Sequence, residues 1–159
     1  MAASKLLKFP VGVTLAAQPG RAIVDHMKTP IHTTAPSLDD IEEMALAALQ
    51  VIPDPLRQHV RDVLLRIEDF PDEDTELEMG VETPFDLLGL YRGVAMTNRS
   101  LLDVPQDVDM IFLYRRPILD YWCETGEDLQ DIVRHVLIHE IGHHFGYSDD
   151  DMEAIEERG

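Results

Sequence analysis

The stretch from Glu127 to Phe145 constrains this chain most. Its apolar residues Leu129, Ile132, Val133, Val136, Leu137 and Ile141 recur at spacings of three and four, the pattern of an amphipathic helix. Thr125, ahead of the acidic pair Glu127 and Asp128, offers an N-cap. The same stretch contains His139-Glu140-Ile141-Gly142-His143. On a helix, residues four apart rise about 6 Å along the axis and share a face. Ile132 and Val136 stand nearly in line with the two histidines, so both imidazoles extend the apolar stripe and are expected to face inward, toward a cleft.

Two imidazoles so placed can hold one metal ion. Glu140 is turned about 100° from His139. It can therefore act as general base toward a metal-bound water without being a ligand. A catalytic zinc site takes three protein ligands and keeps a fourth position for water, so a third ligand is required. Gly146 can end the helix in a left-handed conformation. Asp149, six residues past His143, is then the expected third ligand, with Glu153 as its rival. His144 should point about 100° away from His143 and is left out of the ligand set. His135, one turn before His139, is a candidate for a supporting position behind the ligands.

The string His139-Glu140-Ile141-Gly142-His143-His144-Phe145-Gly146-Tyr147-Ser148-Asp149 resembles that of the small bacterial zincin-like metallopeptidases, which carry His-Glu-x-x-His-x-x-Gly-x-x-Asp. The likeness continues upstream through Leu87-Leu88-Gly89-Leu90-Tyr91-Arg92-Gly93 and Ile111-Phe112-Leu113-Tyr114-Arg115-Arg116-Pro117, from about Pro36 onward. It implies a zincin-like α/β (α+β) domain whose small mixed sheet packs against the motif helix. It also implies Zn2+ on His139, His143 and Asp149, with Glu140 as base. The pattern is close to that of the metzincins, but Met152 follows Asp149 too closely to form their methionine turn.

The 159 residues suit one domain: a Pro- and Gly-punctuated arm over 1–35, then the zincin-like domain over 36–159. Ser37 with Asp39 and Asp40 should start a helix running from Leu38 to about Gln50, with Ile41, Met44, Ala45, Ala48 and Leu49 as its buried stripe. Val63, Leu65 and Ile67 alternate with Leu64, Arg66 and Glu68, as in a half-buried strand. Glu68 to Asp86 holds nine carboxylates and no lysine or arginine, and reads as a solvated acidic loop. A brief strand or turn follows at Leu90–Gly93. Thr97–Val104 reads as a loop and Met110–Tyr114 as a central strand. Pro117 should open a short helix, Ile118–Cys123. Met152 and Ile155 would dock a short terminal helix. Cys123 should be buried or half-buried beside Trp122, and as the single cysteine it has no internal partner.

A net charge of −18 argues against nucleic-acid backbone and anionic membrane as partners. No apolar run approaches the ~18 residues of a membrane span, and a cytoplasmic protein fits best. These readings converge on a zinc-dependent metallopeptidase acting on a peptide or protein substrate, with room for a basic one. A non-peptide amide hydrolase and a non-enzymatic metal-binding or interaction module stand as alternatives. In zincins an extended peptide lies along the open edge of a strand above the metal helix, and the resemblance implies that role for the Val63–Ile67 or the Met110–Tyr114 strand. Tyr91, Arg92, Tyr114, Arg115 and Tyr147 are candidates by residue type for stabilising an oxyanion. Oligomeric state is not legible.

Overall fold

The computed structural model describes residues 2–3, 34–52, 57, 60–93 and 108–148. Of the expected arm over 1–35, this covers Ala2–Ala3 and residues 34–35. Thr97–Val104, Asp149, Glu153 and the expected terminal helix lie outside the described residues.

Helix α1, Leu38–Val51, starts where Ser37 predicts. The Asp40 amide donates to Ser37 Oγ at 3.2 Å, and the Ser37 amide donates to the Asp40 carboxylate at 2.7 Å. That reciprocal pair satisfies donors a helix start leaves open. Ile41, Ala45 and Ala48 form its buried stripe. The two alanines are small enough to let another helix approach closely.

The strands are β1 (Ala2–Ala3), β2 (Leu64–Glu68), β3 (Gly89–Gly93) and β4 (Met110–Tyr114), in the order β1-β3-β4-β2. β2 runs parallel to β4, from Leu64 opposite Met110 to Glu68 opposite Tyr114. β3 runs antiparallel to β4, and β1 antiparallel to β3. β4 is central, which suits its unbroken Met-Ile-Phe-Leu-Tyr sequence: a strand covered on both faces needs no polar alternation.

Alternation of side chains divides the sheet into two faces. Tyr91, Ile111 and Leu113 join α1 and the last two helices, α3 (Arg115–Thr125) and α4 (Leu129–His144), in the main core. Leu90 and Tyr114 face the other way, into a smaller cluster with Met79 and Leu87. The result is the expected α+β fold, a small mixed sheet packed against the motif helix.

Four local expectations change. The acidic stretch is not a loop. It forms α2, Glu73–Met79, capped by Asp72, whose carboxylate accepts from the Thr75 amide at 2.7 Å, and closed by Gly80 at φ 63°. Helix α3 starts at Arg115, directly after β4 and ahead of Pro117. Asp128, not Thr125, caps α4: its carboxylate accepts from the Gln130 and Asp131 amides at 2.9 and 3.2 Å. Thr125 is instead the last residue of α3. Cys123 is exposed. No helix among the described residues is long and apolar enough to cross a membrane.

Candidate functional site

The motif helix ends as the glycine predicts. Gly146 takes φ 89°, and its amide donates to the His143 carbonyl at 2.9 Å, while the Tyr147 amide donates to the Gly142 carbonyl at 3.0 Å. These bonds satisfy carbonyls that a helix C-terminus leaves open. The returning chain carries the Tyr147 carbonyl to within 3.0 Å of His143 Nδ1. A carbonyl only accepts, so Nδ1 carries the proton, and a neutral ring then has its lone pair on the buried Nε2. One turn earlier, the His139 ring meets His143 edge to face, with centroids 4.8 Å apart. The structure thus brings His139 and His143 together as the spacing requires.

Glu140 follows a different course. It is 2% exposed and lies against β3. A β-carbon built at Gly89 would stand 3.1 Å from Glu140 Cγ and 2.7 Å from Val136 Cγ1. The absent side chain at Gly89 is what lets the helix sit this close to the strand.

A family model described as zincin-like metallopeptidase matches residues 60–158, a span containing β2, β3, β4 and the motif helix. The chain belongs to the zincin-like metallopeptidase family. No curated protein matches it.

Membership in the zincin-like family carries the fold, but the metal chemistry that the resemblance implied is corrected. Among the described residues, no group of three or more His, Cys, Asp or Glu is placed to hold a metal ion. The motif helix puts only two imidazoles on one face, and Glu140, about 100° around from His139, packs against Gly89. Asp149, expected as third ligand, and Glu153, its rival, are outside the described residues. Two imidazoles alone fall short of the ligand set that a zinc site needs. The expectation of a bound Zn2+ is therefore overturned among the described residues, and Asp149 as a ligand lies outside them. The zinc-dependent metallopeptidase with Glu140 as base goes with it, as do the metal-dependent alternatives.

Among the residues considered for oxyanion stabilisation, Arg92 and Arg115 are paired elsewhere. Arg92 lies on the sheet face away from α4, where it donates to Thr75 Oγ1 at 3.1 Å, pairs with Glu78 at 3.2 Å and stands over the Phe112 ring. Tyr114 shares that face. Arg115 donates to the Asp69 carboxylate at 2.8 Å and to the Pro36 carbonyl. Tyr147 is exposed. His135 is half-buried on the motif helix.

The reading of His144 missed a buried polar chain. His144 is 2% exposed, and its Nδ1 lies 3.2 Å from the Tyr91 hydroxyl, which donates to Asp109 at 2.9 Å. The chain ties the last turn of α4 to β3 and to the residue just before β4. No local pattern announces it, because its three members are far apart in sequence. Gly89 did carry a signal, since a glycine inside an apolar strand marks a close approach.

Proposed function

We propose that this domain binds an extended segment of a peptide or protein partner, basic in character, along the outer edge of β3. One observation carries the reading: an extended segment of the chain itself already pairs there, Ala2 opposite Gly93 and Ala3 opposite Arg92. Main-chain pairing of this kind makes little demand on the partner's sequence.

The direction of the β3 main chain supports it. The Tyr114 amide donates to the Leu88 carbonyl at 2.9 Å. In an antiparallel ladder the hydrogen-bonding groups of alternate residues face the same neighbour. Leu88, Leu90 and Arg92 thus turn theirs to β4, while Gly89, Tyr91 and Gly93 turn theirs outward. Of the two strands expected to receive the segment, β4 is internal and β2 is the outer strand on the far side of the sheet; we take β3 instead. β3 is the strand packed over the motif helix at Gly89 and Glu140.

The basic character of the partner follows from the net charge of −18, which speeds and orients encounter with cations. We place the domain in the cytoplasm, where a lone exposed thiol such as Cys123 stays reduced.

The test is fluorescence anisotropy with an extended lysine-containing peptide, beside the same peptide N-methylated at alternate residues. Loss of two main-chain donors should weaken binding about tenfold or more, and added salt should weaken the parent peptide. Equal binding of both peptides would overturn edge pairing.

A further inference from the structure

We infer that Ala2–Ala3 is a resident occupant of the β3 edge and competes there with the partner segment. The competition rests on the edge-pairing reading above; the occupancy does not. β1 covers only the Gly93 end of the five-residue strand β3. Gly93 is one of the residues that turn their main chain outward, so Ala2 and Gly93 face each other as a hydrogen-bonded pair, and Ala3 and Arg92 as a non-bonded one.

A two-residue strand lies below the usual range of about 3–10 residues, so its hold on the edge is slight. A partner entering in the same direction, opposite Gly93 first, would need three further residues beyond Arg92 to reach Gly89. It would gain pairing at Tyr91 and Gly89, and would end beside Glu140. Both segments require the same groups of Gly93, so the two cannot bind together. Each must weaken the other by the same factor. The resident segment thus sets a threshold: short or weakly pairing chains stay out, and a segment that pairs along the whole strand displaces it.

The experiment compares the full chain with the double variant A2P/A3P. Proline has no amide hydrogen to give to Gly93. The first readout is amide hydrogen exchange. The Gly93 amide should exchange at least about threefold faster in the variant. The Leu90 and Arg92 amides, which face β4, should keep their rates and so report an intact sheet. The second readout is anisotropy with the lysine-containing peptide. Its affinity should rise about threefold or more, the inverse of the fraction of chains whose edge is open. An unchanged Gly93 rate overturns the occupancy. A faster Gly93 amide with unchanged affinity for a peptide that binds the parent chain overturns the competition. If neither protein binds the peptide, the proposed partner is wrong, while Gly93 exchange still decides whether Ala2–Ala3 occupies β3.

Discussion

Gly89 and Glu140 are packed against each other: a β-carbon at Gly89 would stand 3.2 Å from Glu140 Oε1. The contact joins the strand that we propose receives a partner to the helix that carries the histidine pair. It also explains why this strand position is a glycine.

Gly89→Ala should therefore cost stability, not merely entropy. Its new methyl would meet Val136 Cγ1 at 2.7 Å, and a β-branched side chain on a packed helix cannot swing aside. Overpacking of this kind costs about 1–3 kcal/mol, or roughly 2–10 °C in Tm for a chain of this size. Urea unfolding would measure it. A loss below about 0.5 kcal/mol would mean that α4 and β3 separate easily, contrary to the packing.

Tyr91→Phe should destabilise by about 1–3 kcal/mol, because the hydroxyl links Asp109 to buried His144 and its removal strips both of a partner. Deleting the Asp109 carboxylate in the same background should cost less than the sum of the two single changes, since both act on one network. Strictly additive losses in a double-mutant cycle would show that the three groups do not act together.

Elements with a strong period and a clear start were legible in the sequence. Ser37 with Asp40, the stripe from Ile41 to Ala48 and the apolar run Met110–Tyr114 led to α1 and β4 with their limits nearly right. Leu129 to His144 gave the motif helix, and Gly146 gave its end. The acidic stretch misled because repeated carboxylates without lysine suggest a solvated loop. Yet Asp72 and Gly80 flank α2 as N-cap and left-handed closure, signals that were present and outweighed. At the site, spacing alone brought His139 and His143 together. The zinc reading then leaned on Asp149, a position beyond the described end of the structure. The proposed edge role of β3 and the Tyr91–Asp109–His144 chain depend on contacts distant in sequence, which no local pattern encodes.

Asp72→Ala should loosen α2 through loss of its N-cap, at a cost of about 0.5–2 kcal/mol. In the native chain the hydrogen bonds from Thr75, side chain first and backbone second, hold the Asp72 carboxyl below its ordinary value of 3.8. A carboxyl with a lowered folded pKa contributes stability above its unfolded pKa and loses it as pH falls through the folded value. The parent should thus lose stability on acidification below about pH 4 more steeply than the variant. Matching acid limbs in urea unfolding would detach Asp72 from the stability of α2.

Tyr114→Phe should act at the other end of the pH scale. The Tyr114 ring is buried in the smaller cluster, and desolvation, followed by the nearby negative charge of Glu68, pushes its phenol well above the ordinary value of 10. The unfolded chain then releases this proton at lower pH than the folded one. The folded state holds more protons above about pH 10, so stability must fall as pH rises from there. One such group contributes a slope of at most about 1.4 kcal/mol per pH unit. Tyr121 is also raised, by burial first and Glu127 second, so some slope will survive the substitution. Urea unfolding between pH 9 and 11.5 should show a shallower decline in the variant than in the parent. Parallel declines would mean that the Tyr114 phenol ionises as readily in the folded chain as in the unfolded one, and that the face beneath α2 is open to water.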